Sequence, residues 1–205
     1  MDYFFNDKNL LTLRNNFTYD LNKNGLGDNT AINAFESYGT DKNMDNSLLL
    51  TLRSNLKPNI TNELKVQHLY TFQDSYQSDQ LGHAVPRAIV ENIITNIDGN
   101  KATNIQIGGH RFAQESFKNN VIQIVDNLYY NTDKIKYTFG VDFMYTKARS
   151  VYGSEVNGRF HFRENPTVNG GDNLFNFNNL ISNRFYREVP LVEDPSVKSS
   201  IWNAG

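Results

Sequence analysis

The chain has 205 residues, 39% hydrophobic and 20% charged, enough for one domain with a core of its own. A net charge of −2 offers no basic surface for nucleic acid, and the lack of cysteine removes disulfide and thiolate chemistry. No apolar run approaches the roughly 20 residues of a membrane helix. The mean hydropathy of −0.57 does not exclude a membrane β-barrel, whose lumen and loops dilute the apolar half of each strand.

Residues 1–8 show no basic stretch, apolar stretch or small-residue cleavage site of a secretory signal. The first predicted strand covers about 9–21, with Leu11, Leu13, Phe17, Tyr19 and Leu21 on one face, interrupted by Asn15, and Thr12, Arg14, Asn16, Thr18 and Asp20 on the other. A Gly- and Asn-rich polar loop follows over 22–45. The second strand, 47–57, aligns Leu48, Leu50, Leu52 and Leu56; Pro58 to Thr61 read as a compact turn. The third, 63–74, places Leu64, Val66, His68, Tyr70 and Phe72 together. His68 on this apolar face marks an interface position or a register irregularity.

A long connection spans about 75–116 and holds β-like pieces such as Asn104-Ile105-Gln106-Ile107. The fourth strand, 117–130, aligns Ile122, Ile124, Leu128 and Tyr130, with Asp126 breaking the row. A turn at 131–134 leads into the clearest strand, 135–145. Its odd positions include Tyr137, Phe139, Val141, Phe143 and Tyr145, while Lys136, Thr138, Gly140, Asp142 and Met144 alternate with them. Aromatic residues at both ends of an apolar row suit the two interfaces of a lipid-facing strand. A half-buried strand of a soluble sandwich alternates too, so this strand alone leaves both open. A last long connection, about 148–197, leads to the opening of a sixth strand.

The rhythm of connections favours the barrel. Short turns at 58–61 and 131–134 interleave with long segments at 22–45, 75–116 and 148–197. Compact soluble domains rarely hold several loops this long, whereas outer-membrane barrels pair short periplasmic turns with long external loops. The expected fold is all-β: an antiparallel up-and-down transmembrane β-barrel segment of about six strands of a larger barrel. A barrel protein is exported, so residues 1–205 are expected to be a partial barrel domain lacking the signal peptide, plug and C-terminal strands.

Several motifs match a known family. Asp126-Asn127-Leu128-Tyr129-Tyr130, a polar turn, and Ile135-Lys136-Tyr137-Thr138-Phe139-Gly140-Val141-Asp142-Phe143 form a hairpin that resembles those of TonB-dependent receptors. The similarity points to the Oar-like, OmpA-related receptors of Bacteroidota. Asn62-Glu63-Leu64-Lys65-Val66 with Asp74-Ser75-Tyr76 is similar to another strand and loop entry of that group. The stretch Asn178-Asn179-Leu180 to Arg184-Phe185-Tyr186-Arg187 is similar to the loop before its next strand. The resemblance implies a 22-stranded barrel with an N-terminal plug, energised by the TonB complex and binding or importing a ligand at the cell surface. The TonB-contacting segment, the plug and the C-terminal aromatic strand are not seen in this chain.

Catalytic and metal signatures are sparse. Asp20-Leu21-Asn22-Lys23-Asn24-Gly25 matches half of a calcium-loop pattern, but Ala31 stands where a bidentate Glu is needed, so a polar loop is expected. His68, His83, His110 and His161 have no second ligand at a zinc spacing. Gly108-Gly109-His110-Arg111 and Gly170-Gly171-Asp172 read as turns, and the adjacent Glu193 and Asp194 do not project together from a strand. No enzyme, metal or cofactor is expected. The best ligand-binding candidate is the last connection, where Arg159, His161 and Arg163 share a face opposite Phe160 and Phe162, followed by Arg184, Tyr186 and Arg187. Guanidinium forks suit carboxylates and phosphates, while the aromatics suit sugars or apolar groups. The bland account is an external hairpin with solvated charges.

The expected partners are outer-membrane lipid, the TonB complex through a missing N-terminal part, and an unknown small-molecule, glycan or peptide ligand. The lipid-facing residues are expected to be Tyr137, Phe139, Val141, Phe143 and Tyr145. The rival functions are a soluble secreted all-β binding module, such as a carbohydrate-binding sandwich, and a structural barrel without transport.

Overall fold

The computed structural model describes residues 1–27, 29–78, 81, 85–94, 102–112, 114–164, 177–189 and 196–205. Among these residues are twelve strands. In chain order they are β1 (Asp2–Asn6), β2 (Asn9–Leu26), β3 (Ile32–Asn33), β4 (Gly39–Lys57), β5 (Ile60–Tyr76) and β6 (Arg87–Ile94), then β7 (Ala102–Gly108), β8 (Glu115–Asn131), β9 (Lys136–Val151), β10 (Arg159–Glu164), β11 (Leu180–Tyr186) and β12 (Val197–Ala204).

Seven of them form an antiparallel wall in the order β1-β2-β4-β5-β8-β9-β12. The neighbours follow chain order, which is the up-and-down arrangement expected. β1 and β12 are the two edges and do not pair with each other, so the wall is not closed. All six predicted strands are present. The seventh, β1, lies in a segment read only for targeting signals, yet it alternates as well, with Tyr3 edge-on to Phe5 at 5.0 Å.

The wall strands also extend beyond the predicted bounds. The expected loop at 22–45 is mostly strand: β2 continues to Leu26, and β4 begins at Gly39. Asp20, Leu21 and Asn22 pair with Asn43, Lys42 and Asp41, so the first three residues of the half calcium motif are paired strand rather than loop. Partnered backbone groups outweigh the turn preference of Asn and Gly here. The register shifts only beyond Asn22, where Asn24 takes a positive φ of 59°. Pairing on both sides of His68 is regular, so it marks no register irregularity.

Register carries one apolar face across the wall. Leu13, Leu50, Val66, Ile124 and Phe143 stand in one row, and Leu48, His68, Ile122, Tyr145 and Trp202 in another. The opposite face is wetter: Arg14, Leu49, Gln67, Gln123 and Met144 form one of its rows. There Gln123 Nε2 donates to both Asp142 oxygens at 2.9 and 3.0 Å.

The apolar band runs obliquely to the strands. Through the register, Leu21 on β2 is level with Asp74 on β5, whereas Tyr145 on β9 is level with His68. The upper edge of the band therefore drops six residues over four strand steps. Its lower edge, from Leu11 to Tyr137, drops four. At ~3.3 Å per residue and ~4.8 Å per strand, the strands tilt about 35–45° from the normal to the band. Transmembrane barrels have this tilt.

The tight turns lie at one end of the wall, at residues 7–8, 58–59 and 132–135. In the last, Thr132 N–H donates to the Ile135 carbonyl at 2.8 Å, and Ile135 N–H donates to Thr132 Oγ1 at 2.9 Å. The three long connections leave from the opposite end and assemble into a second sheet, a cap, in the order β11-β10-β6-β7-β3. Two of its pairings are parallel and join different connections: β10 with β6, and β3 with β7. The fully buried apolar residues among those described, Ile89, Val90 and Ile93, are all on β6 in this cap.

Candidate functional site

The predicted binding residues lie on the outer strands of the cap. Period-two alternation holds on β10, so Arg159, His161 and Arg163 alternate with Phe160 and Phe162. Antiparallel pairing sets Arg159 opposite Tyr186 and His161 opposite Arg184, with a bulge after His161. The Tyr186 ring is 4.9 Å from the Arg159 guanidinium, 5.9 Å from that of Arg184 and 5.7 Å from the His161 ring. Three of the six candidates thus gather around the ring of a fourth. Arg163 stands further along β10, opposite Ile181, and Arg187 lies beyond the end of β11. The aromatics of the other face pack locally, with Phe160 and Phe185 centroids 4.5 Å apart.

The gathered cations are compensated by carboxylates absent from the sequence-based candidates. Glu91 on β6 meets His161 Nδ1 at 2.6 Å, Arg184 Nη2 at 2.5 Å and Asn183 Nδ2 at 2.8 Å. Burial raises the Glu91 carboxyl, but hydrogen bonds from His161, Asn183 and Arg184 outweigh it and hold the group below the usual carboxylate range. Burial also lowers His161, and this outweighs the opposing pull of Glu91. His161 is therefore neutral at pH 7, donating Nδ1–H to the carboxylate.

A second network lies deeper. Arg87, only 2% exposed, donates Nε to Glu155 Oε2 at 2.9 Å, Nη2 to Glu155 Oε1, and Nη1 to Gln106 Oε1 at 2.6 Å. Arg159 Nη1 reaches the same Glu155 Oε1 at 2.9 Å. Glu155 has a positive φ of 56°, a conformation that costs about 1–2 kcal/mol for a residue with a Cβ. Hydrogen bonds hold it there: its N–H donates to the Arg111 carbonyl at 3.1 Å, and its carbonyl accepts from Gly158 at 2.9 Å and Glu188 at 3.3 Å. Gly158 also has a positive φ, and a Cβ on it would come within 2.9 Å of the Phe185 ring.

Together these contacts make a braced face with paired charges. The residues that brace it, Arg87, Glu91, Gln106 and Glu155, carry no motif and sit in connections read as loops. The available signal was the alternation of Arg87-Ala88-Ile89-Val90-Glu91, which resembles a short strand with polar ends. Gly108, expected in a turn, instead ends β7 opposite Arg87, and Gly109 bends the chain just after it. His83, Gly170, Gly171, Glu193 and Asp194 lie outside the described residues. Among the described residues, no group of three or more His, Asp or Glu side chains is placed to hold a metal ion.

A long-stranded, tilted antiparallel wall with one apolar face and connections sorted by length describes an outer-membrane barrel. The family model of the outer membrane beta barrel domain matches residues 1–203. The chain belongs to this family. No curated protein matches the chain, and no solved structure does. Membership places the chain in the bacterial outer membrane, in contact with membrane lipid, and replaces the soluble sandwich considered from sequence.

Proposed function

We propose that this outer-membrane barrel segment belongs to a TonB-dependent receptor that binds a ligand at the cell surface and takes it up. The observation that carries this reading is the cap. Three connections, all from one end of the wall, combine into a braced sheet instead of three independent loops. A barrel that serves only as scaffold has no need of such a structure, whereas a receptor needs a rigid surface to present its binding groups. The hairpin motifs similar to those of TonB-dependent receptors point the same way.

In this reading Tyr137, Phe139, Val141, Phe143 and Tyr145 face lipid, and the wetter face lines the lumen or meets a plug carried elsewhere in a longer protein. Further strands close the wall between the open edges of β1 and β12. The cap, on the side of the long connections, is external. The test is cross-linking of the protein to TonB in energised cells. Recovery of TonB with the protein is expected. No TonB recovered, or ligand uptake that survives collapse of the proton gradient, would overturn the transport reading.

A further inference from the structure

Where wall and cap meet, a cleft of about 360 Å³ opens between the end of β9 and the residues that follow β11. This is at the small end of the ~300–1,000 Å³ typical of ligand pockets. Val151, Tyr152, Val156 and Val189 give it an apolar lining; Gln114 and Asn157 contribute amides, and Arg187 and Glu188 contribute opposite charges.

Arg187 differs from its neighbours in the candidate cluster. Arg159 and Arg184 each have a carboxylate partner, at 2.9 and 2.5 Å. Arg187 has none among the described residues. Its Nε donates to the Val156 carbonyl at 3.1 Å, which fixes the guanidinium and leaves its Nη groups to act as a fork. Adjacent Glu188 makes no ion pair with it among the described residues.

The wall of the cleft is held from behind. Gly153, Ser154 and Glu155 are buried, and Glu155 is locked by Arg87 and Arg159. The turn whose Val156 carbonyl positions Arg187 is therefore pinned by a buried ion pair. Such a pair adds little net stability but fixes one geometry. A guanidinium positioned by a backbone carbonyl, with no carboxylate partner among the described residues and beside an apolar surface, selects an anion with an apolar body. Adjoining amide and carboxylate groups add partners for a peptide bond.

We propose that this cleft recognises the C-terminal residue of a peptide, with Arg187 taking the terminal carboxylate and an apolar side chain lying against Tyr152, Val156 and Val189. Gln114 and Glu188 offer partners for the adjoining peptide group. The proposal rests on the surface-binding half of the function proposed above, not on its energy coupling. Binding that persists without TonB would leave it standing even where uptake fails.

The test is calorimetric titration of the detergent-solubilised protein with N-acetylphenylalanine and with its amide, which keeps the shape and lacks the charge. The acid is expected to bind saturably with a Kd of about 1 mM or below and at least about tenfold more tightly than the amide. Arg187→Gln is expected to erase that difference, while Lys134→Gln, in the tight turn at the other end of the wall, leaves it unchanged. Val156→Trp, which fills the cleft without removing the guanidinium, is expected to block both probes. Heat-dependent gel mobility confirms that each variant is folded. Equal binding of acid and amide, no loss in Arg187→Gln, retained binding in Val156→Trp, or no binding of either probe overturns the proposal.

Discussion

At the scale of single residues, two carboxylates organise the cap, and their losses should differ. Arg87→Met leaves Glu155 buried without its bidentate partner, and removing one member of such a pair costs about 3–5 kcal/mol. Pulse proteolysis should show that loss in the cap, with the wall unaffected. Glu91→Gln removes a carboxylate whose partner Arg184 is half exposed, so a smaller loss of about 1–3 kcal/mol is expected. The Glu91 site also sets a pH dependence. His161 resists protonation in the folded state, and the Glu91 carboxyl sits below its ordinary range. For both groups the unfolded chain binds protons more readily, so stability is full above the ordinary histidine value. It falls as pH drops through that value and then through the carboxylate range. An NMR titration of His161 should show a midpoint below the ordinary value, moving lower still in Glu91→Gln because the group that opposes the shift is gone. A midpoint at or above the ordinary value would contradict this arrangement. The face of β10 was legible in the sequence because Arg159, His161 and Arg163 follow the strand period. Glu91 was not, because it meets His161 across 70 residues of chain through a parallel pairing that no local pattern announces.

At the scale of elements, the wall was legible and the cap was not, for one physical reason. The wall strands β2, β4, β5, β8 and β9, of 16 to 19 residues, are long enough for alternation to stand out, and successive wall strands are neighbours in space. Strand β1, with five residues, was not legible. Cap strands such as β3, β10 and β11 have two to seven residues, and β3 and β10 take partners from other connections. The hairpin of β8 and β9 makes the wall testable. Val141, 64% exposed on the apolar face, should tolerate Arg poorly, with a loss of about 2–4 kcal/mol on refolding into lipid vesicles. Thr138→Arg, on the wetter face, should cost far less; equal costs would overturn the assignment of faces. Asp126 interrupts the apolar band between Leu64 and Val141, and its Oδ1 accepts from Asn62 Nδ2 at 2.7 Å. Replacing both by leucine should raise stability in the same assay, because two polar groups then leave the lipid face.

At the scale of the whole molecule, the sorting of connections by length predicts sidedness. The chain contains no cysteine, so a single introduced one reports its own location. Arg163→Cys in the cap should react with a membrane-impermeant maleimide on intact cells, whereas Asp133→Cys in the tight turn should react only after the outer membrane is opened. The reverse result would invert the orientation. The parallel pairings of the cap have a further consequence, for the order of assembly. Strand β10 needs β6, and β3 needs β7, so the first and last connections complete their parts of the cap only once the middle one is in place. Pairings distant in sequence form late, because chain closure must come first. With only Ile89, Val90 and Ile93 fully buried among the described apolar residues, the cap has little to hold it together before then. In refolding followed by protease protection, the wall should become resistant first, and residues of β6 and β10 should gain protection together in a later phase.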